Sequence, residues 1–471
     1  MQRAVLAAWV AASIAPVPAA AQVAVPVTSD APVAPIVPAP VAPVTIRHVR
    51  EIVVEGNSKT TSDTVEWLSR IHVGDEWHAE DTDTVKQRLV TSGLFKDVEV
   101  FWEPVSDGVR VHMIVDDKHS WVIAPAFYTQ PTNVGGGVGY GENNLFGQNQ
   151  KLLLYGQIAT GESFFVGAWQ VPSIFGSRFY SQLDTYDAHS RIIEYANPTR
   201  YIDNPVAVRR EFQNYENVGL RLGYEIFRGI KLDTRLRGAH VQYTHVELDT
   251  VDNPNATNAD LGLPAGAKVP KPGVEGWDVS NEWTATFDRR ANWYGIASGQ
   301  RYTLTFEHSV ISDDFHYWEI NATAYKAYPI FETHNLVLKA RMDLGWHMPF
   351  QQEFETGGTS MRGWLNNQFR GDTRGLVNVE YSAPLFGLWG LSVRGLAFVD
   401  SAYTTTLHPD TEQRDYLPDE EVRGWAGFKN SVGVGTRLYL RQIVLPLLGL
   451  DVGYGLEARD YQIYLAVGLT D

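Results

Sequence analysis

Along much of the chain after residue 120, apolar and polar side chains alternate with a period of two. In the stretch GLVNVEYSAPL, Val377 and Tyr381 fall on an apolar face, while Glu380 falls on the opposite one. In LSVRGLAFVDS, Val399 falls on the apolar face and Asp400 on the other. Because the side chains of a β-strand point alternately to its two faces, the pattern predicts strands with one apolar and one mixed-polar side.

These strands are expected to close into a membrane β-barrel. Many of the segments run about nine to eleven residues, the length that a tilted strand needs to cross a bilayer. The sequence contains no stretch of about 18 uninterrupted apolar residues, so no transmembrane helix is predicted. A soluble β-sandwich would alternate too and is the competing interpretation. At roughly 22 residues per strand and connection, residues 120–471 give about 16 antiparallel strands, an even number as in bacterial barrels.

The connections between these segments are predicted to alternate between short and long. A short turn is predicted at 385–390 and long loops at 347–373 and 404–429. Counted back from the C-terminus, both long loops fall on the same side. Outer-membrane barrels have short periplasmic turns and longer external loops, so both loops are expected to be attached externally.

The first 44 residues are predicted to lie outside the folded domains. Residues 1–21 combine Arg3, a short apolar stretch and the small-residue run Ala19-Ala20-Ala21, which is typical of a cleaved secretory signal peptide. Residues 22–44 are almost wholly Pro, Ala and Val. Repeated prolines favour extended polyproline II, so this segment is interpreted as a semi-rigid linker.

Residues 45–119 predict a small α+β domain. A strand in RHVREIVVEGN precedes a capped helix with Val65 and Leu68 at helical spacing, and a second helix carries Val85 and Leu89 on one face. Two strands joined at Ser106-Asp107-Gly108 follow, which gives the order β-α-α-β-β.

This order, with VEGN and SGLFKDVEV, resembles a POTRA domain. The resemblance implies a periplasmic module in which an exposed sheet edge can accept an extended client strand. An edge offers unpaired backbone groups, and β-augmentation uses them. A plain spacer is the alternative. The edge that the resemblance implies consists of Asp97, Val98, Glu99, Val100, Phe101 and Trp102.

Composition excludes several classes of function. The net charge of −16 with no basic stripe argues against nucleic acid as a partner. The chain has no cysteine, no H-E-x-x-H, no G-x-S-x-G and no glycine-rich phosphate loop, so neither an enzyme nor a cofactor is predicted. Asp249, Asp252 and Asn255 could hold calcium but lack EF-hand spacing, and an ordinary loop without a metal is favoured.

Five motifs occur in an order that resembles one family. They are GYGENNLFGQNQKL (139–152), WQVPSIFGSRFY (169–180), SMRGW (360–364), NVEYSAPLFG (378–387) and AFVDSAY (397–403). With the POTRA-like segment they resemble the BamA/TamA superfamily of outer-membrane insertases and transporters. The resemblance implies a barrel in the outer membrane and an N-terminal domain in the periplasm. Its partners would be the lipid bilayer and β-rich client polypeptides or periplasmic proteins.

The resemblance also implies an internal lock. In the family, the loop before the twelfth strand folds back into the barrel and docks through an Arg-Gly-aromatic tip. The acidic partners of its arginine match Glu380 and Asp400. A guanidinium can bridge two carboxylates in a fixed geometry. The tip itself is carried over to Met361, Arg362, Gly363 and Trp364.

The tripeptide of this tip occurs twice, because Arg423-Gly424-Trp425 repeats it. The second copy follows the acidic run LPDEEV in a long loop, and no strand like NVEYS comes after it, so it is interpreted as a coincidence. The expected function is insertion or translocation of β-rich clients through a lateral opening between the first strand (121–128) and the last (460–469). A passive pore or structural protein, and a transporter dedicated to one partner, are the alternatives.

Overall fold

The computed structural model describes residues 47–195, 199, 201, 207–247, 257, 275–293, 296–312, 315–388, 391–408, 427–440 and 446–467. Four predictions lie outside the described residues. They are the signal peptide, the proline-rich linker, the calcium-binding alternative in the loop at 249–260, and the second Arg-Gly-Trp copy at 423–425.

The N-terminal unit is a four-stranded sheet with two helices. The strands lie in the order β2-β1-β4-β3, so β3 and the very short β2 form the two edges. The predicted β-α-α-β-β order is present, with β2 added between the helices. Val49, Val65, Val85, Leu89 and Val111 lie in one buried core. The elements are β1 (Arg47–Glu55), α1 (Ser62–Ser69), β2 (Glu76–Trp77), α2 (Asp81–Thr91), β3 (Phe95–Val105) and β4 (Gly108–Asp117).

Asp117, at the end of β4, organises the segment that leads into α1. Its carboxylate accepts hydrogen bonds from the backbone N–H groups of Lys59 (2.7 Å) and Thr60 (3.1 Å) and from the Thr60 hydroxyl. Burial alone would raise the pKa of Asp117, but these hydrogen bonds stabilise the ionised form and lower the pKa below its ordinary value. Thr61 then caps α1 through its hydroxyl.

The N-terminal unit also includes a segment from later in the chain, Asn143–Asn149. Asn144 donates a side-chain hydrogen bond to the Thr60 hydroxyl (2.8 Å), and the Thr61 amide donates to the Gly147 carbonyl (2.9 Å). The sequence-based boundary between residues 119 and 120 had placed this segment in the barrel.

The second unit is a closed antiparallel β-barrel of 16 strands, as predicted. The three-residue β13 lies beside β14 at the end of the β12–β14 hairpin and is not counted as a strand of its own. Among the described residues, neither helix of the chain is long and apolar enough to span a bilayer. The strands are β5 (Trp121–Gln130), β6 (Asn133–Leu145), β7 (Gln150–Ala159), β8 (Glu162–Val171), β9 (Phe179–Tyr195), β10 (Ala207–Phe227), β11 (Ile230–Glu247), β12 (Gly276–Asp288), β13 (Ala291–Trp293), β14 (Ile296–Ile311), β15 (Trp318–Ile330), β16 (His334–Trp346), β19 (Thr373–Leu388), β20 (Leu391–Thr405), β21 (Phe428–Leu440), β22 (Pro446–Gly455) and β23 (Asp460–Val467).

The alternation along the strands separates an outer from an inner face. Val377, Val399 and Ile463 are about half exposed, whereas Asp400 is 0% and Tyr464 6% exposed. An apolar outer face and a polar inner face are what a bilayer requires of a barrel. The predicted phase is therefore confirmed, although β19 continues to Leu388, so the turn expected at 385–390 is shorter than predicted.

At one junction of the barrel, few described residues are paired. We call the pairing between β5 and β23 the seam. Within the described residues, its strands pair only at Leu465–Thr129, Ala466–Tyr128 and Val467–Phe127. In contrast, β10 and β11 pair from Arg210 opposite Glu247 to Phe227 opposite Ile230.

The connection between β16 and β19, residues 347–372, folds into the barrel lumen, and we call it the lumen loop. It contains short 3-10 turns at Phe350–Gln352 and Gly358–Ser360 and a two-stranded ribbon of β17 (Phe354–Thr356) and β18 (Phe369–Gly371). It leaves the barrel at the end that carries the longer connections.

Candidate functional site

The tip of the lumen loop, Met361–Trp364, lies against the inner wall of the barrel. Met361 and Trp364 are almost fully buried and belong to a cluster that also contains Phe369. Gly363 has a φ of +98°, a backbone conformation that residues with a Cβ rarely adopt. A Cβ at this position would also lie 2.8 Å from the Gly455 amide nitrogen. Both the positive φ and this close approach therefore require glycine at position 363.

Arg362 is the centre of the contact. Its Nε and Nη2 donate to the two carboxylate oxygens of Asp400 (3.0 and 3.1 Å), and its own backbone amide donates to the same carboxylate (3.2 Å). Its Nη1 donates to Glu380 (3.1 Å) and to Asp451 (3.2 Å). The guanidinium carbon lies 3.4 Å from the centroid of the Phe398 ring, a cation–π arrangement. The structure thus brings Arg362 together with both Glu380 and Asp400.

The docking wall also includes residues that sequence reasoning missed. Asp451 bridges Arg362 to Arg437, whose Nη2 lies 2.8 Å from the carboxylate. On the same strand, a Cβ on Gly453 would lie 2.6 Å from the Gly363 amide nitrogen. The Tyr464 hydroxyl accepts from the Gly363 amide (3.0 Å) and donates to the Trp364 carbonyl oxygen (3.0 Å). The period-two alternation in GLDVGYG and YQIYLAV was the only sequence signal that places these residues on the inner face. No motif marks them as contacts of the tip.

A second set of contacts holds the base of the lumen loop on the opposite wall. Tyr243 donates to the Gln351 side chain (3.3 Å). With its amide oxygen facing Arg237, Gln352 accepts two hydrogen bonds from that guanidinium (2.8 and 3.0 Å). Arg237 is itself ion-paired with Asp278 (3.0 Å) and with Glu307 on β14. The loop therefore crosses the lumen and contacts both walls.

The chemistry of this site is suited to holding the lumen loop. Two guanidinium groups, Arg362 and Arg437, meet the three carboxylates of Glu380, Asp400 and Asp451. Forked, charge-assisted hydrogen bonds of this kind fix geometry strongly. Among the residues that the structure describes, no group of acidic and histidine side chains is arranged to hold a metal ion.

The sequence-predicted edge lies on β3, which pairs with β4 and with no second strand among the described residues. Val98 and Val100 point into the core of the N-terminal unit, whereas Glu99 and Phe101 are exposed. Phe101 stacks on His112 with ring centroids 4.7 Å apart, and Arg47 lies over Trp102 at 4.9 Å. The remaining edge residue, Asp97, is exposed beside Val98.

Two solved structures resemble most of the chain. BamA from Haemophilus ducreyi lacking POTRA domains 1–3 is 15% identical with a TM-score of 0.59, over 90% of this chain and 85% of that one. CdiB from Acinetobacter baumannii is 15% identical with a TM-score of 0.60, over 90% and 74%. At this identity the likeness establishes a shared fold.

A third solved structure extends this likeness. CdiB from Escherichia coli is 12% identical with a TM-score of 0.52, over 92% of this chain and 93% of that one. No curated protein sequence matches the chain.

The model of the Omp85 superfamily domain matches residues 144–467, which is more than half of the chain and holds the tip, Glu380, Asp400 and the last strand. The chain therefore belongs to the Omp85 superfamily, outer-membrane proteins of the insertase and translocase type that are not enzymes.

Proposed function

We propose that the protein inserts or translocates β-rich client polypeptides through a lateral opening of the barrel at the seam. The observation that supports this most directly is that β5 and β23 share three register pairs among the residues that the structure describes. Each lost strand pairing leaves backbone groups without partners, and in lipid such groups are costly. An opening is therefore least unfavourable where the fewest pairs must separate, and there the freed edges can pair with a client strand.

The tip of the lumen loop acts as a lock on the adjoining wall in this mechanism. Arg362, buried between carboxylates on β19, β20 and β22, keeps the inner faces of these strands in one arrangement. The lumen that a passive pore would leave open is crossed here by a loop whose Met361 and Trp364 are buried. This occupancy favours a gated protein over a permanently open pore.

A disulfide across the seam tests the opening. Thr129 and Leu465 are register partners, and the chain has no cysteine of its own. Thr129→Cys with Leu465→Cys should block client insertion in the oxidised protein and release it on reduction. The matched control is Leu220→Cys with Leu236→Cys, a register pair with exposed side chains in the continuous β10–β11 pairing. Undiminished activity of the oxidised seam variant would rule the lateral opening out.

We further propose that the edge of β3, Asp97–Trp102, captures the client in the periplasm. The exposed side chains of Glu99 and Phe101 flank backbone groups that face no neighbouring strand among the described residues. A photo-crosslinking amino acid at Glu99 or Phe101 in intact cells should capture polypeptides with outer-membrane β-signatures. Val73, which is exposed but lies on no strand, provides the control position. If a crosslinker at Val73 captured the same polypeptides to the same extent, the domain would be a spacer without a specific client-binding edge.

Two alternatives make different predictions. A passive pore would conduct ions in planar bilayers while capturing no client from β3. A dedicated transporter would repeatedly capture one secreted protein. Mixed capture of barrel precursors supports the insertase function.

A further inference from the structure

We propose that the lumen loop is a clasp across the seam, with Tyr464 and Gln130 as the positioning residues that join it to the last and the first strand. This inference rests on the proposed lateral opening and specifies what controls it. The lock at Arg362 acts on β19, β20 and β22, whereas the clasp acts on the two strands that must part.

The contact with the last strand is made by Tyr464 of β23. This side chain is 6% exposed and points to the inner face of the barrel. Its hydroxyl both accepts from the Gly363 amide and donates to the Trp364 carbonyl, each at 3.0 Å. Because both partners are backbone groups of the tip, β23 cannot move away without leaving two buried polar groups unpaired.

The contact with the first strand is made by Gln130, the last residue of β5. Its side-chain oxygen accepts a hydrogen bond from Asn366 Nδ2 at 3.0 Å. Asn366 lies just beyond the tip and is held close to the turn at Gly358. A Cβ on Gly358 would lie 2.3 Å from the Asn366 side-chain oxygen. The absence of a side chain at position 358 therefore gives Asn366 the room it occupies.

These contacts divide the seam unequally. On one side, β23 has the two Tyr464 hydrogen bonds, and its neighbour β22 carries Asp451, which pairs with Arg362. On the other side, β5 contacts the loop through the Gln130–Asn366 hydrogen bond. We therefore expect β5 to separate first, while β23 stays with the tip.

The clasp can be measured without a client. Spin labels on Thr129→Cys and Leu465→Cys in the full chain, reconstituted in lipid, report the distance across the seam. Gln130→Ala removes one hydrogen bond and should raise the population of long distances about three- to tenfold. Gln130→Glu keeps an acceptor for Asn366 and should restore the short distance. Tyr464→Phe should raise the long-distance population about tenfold or more.

The controls separate the clasp from general loosening of the barrel. Tyr461→Phe removes a hydroxyl from an exposed side chain of the same strand and should leave the distances unchanged. If Tyr464→Phe does not fold, the Gln130 series alone decides. The clasp would be overturned if the distances across the seam in Gln130→Ala equalled those in the protein that retains Gln130. It would also be overturned if Gln130→Glu did not restore the short distance.

Failure of the proposed function would look different. A seam disulfide that leaves client insertion intact would exclude lateral opening as the route. The spin-label distances would still establish whether the lumen loop holds β5 and β23 together, because they involve no client.

Discussion

Two junctions of the same barrel differ in how they are held. β10 and β11 pair along almost their whole length, whereas in the described part of the chain β5 and β23 pair at Leu465–Thr129 and its two neighbours. The first junction holds itself together through its ladder of backbone hydrogen bonds. At the second, side chains of the wall bind a loop that lies across it. From this difference we expect the sheet to stabilise the first junction and the lumen loop to stabilise the second.

The two walls also hold the loop differently. Near the seam the contacts involve the loop backbone at Gly363 and Trp364, and they depend on close approach to Gly453. On the opposite wall the loop is held by the side chains of Gln351 and Gln352. Substitutions at the tip should therefore affect the seam more than substitutions at the base.

The largest effect is expected for Arg362→Ala. Asp400 would remain fully buried without its guanidinium, and breaking one partner of such a cluster costs about 3–5 kcal/mol. The folded, faster-migrating form in heat-modifiable electrophoresis should be lost at lower temperature, and client insertion should fail. The N-terminal unit should stay folded.

Lys339→Ala is the control for Arg362→Ala. Lys339 is an exposed cation on β16 that pairs with Asn378 in the barrel sheet. Normal mobility and activity in Arg362→Ala would contradict the lock. Arg362→Lys, which keeps the charge but not the fork, should fall between the two.

A smaller effect is expected for Gly453→Ala. The added Cβ would meet the backbone of the tip at 2.6 Å, and such overpacking costs about 1–3 kcal/mol. All carboxylates remain, so the result isolates the fit between loop and wall. Spin labels at Thr129 and Leu465 should report longer distances.

Gly449→Ala on the same strand is the matched control, because the atoms nearest to its Cβ would belong to the flexible Arg437 side chain, the first of them at 3.3 Å. Equal distances across the seam in the two variants would show that close approach of the tip to β22 does not matter for the seam.

The smallest effect is expected for Gln352→Ala. Arg237 keeps its ion pairs with Asp278 and Glu307, so the loss is about 0.5–1.5 kcal/mol for the loop base. The distance between labels at Leu220 and Leu236 and that across the seam should both stay unchanged. Seam distances as long as those in Gly453→Ala would contradict the expected difference between the two walls.

The sequence predicted the parts of the site that follow from local periodicity. Glu380 and Asp400 could be placed on the inner face because period-two alternation is a property of each strand alone. The existence of the strands followed from the same pattern, and their number followed from the length of the region at roughly 22 residues per strand and connection. The tip itself, including Gly363, was identified through the resemblance of SMRGW to the family motif.

Other parts of the site depend on how the barrel closes. Asp451 and Tyr464 meet the tip only because β22 and β23 complete the circle beside β5, and no local pattern encodes that neighbourhood. The same holds for Gln130, which lies at the opposite end of the barrel sequence from Tyr464. Nor could the sequence show that Asn143–Asn149 belongs to the N-terminal unit.

The length of β10 has a consequence outside the lumen. Its 21 residues span about 70 Å along the strand at about 3.3 Å each. Tilted by about 45°, it rises about 50 Å, well beyond a hydrocarbon layer of about 30 Å. The apolar outer residues Val218, Leu220 and Leu222 lie in the half near the short turn, whereas Glu216 lies beyond them. The part of β10 beyond Glu216, paired with β9 and β11, is therefore expected to continue past the hydrocarbon layer as a β-ribbon on the side away from the β10–β11 turn.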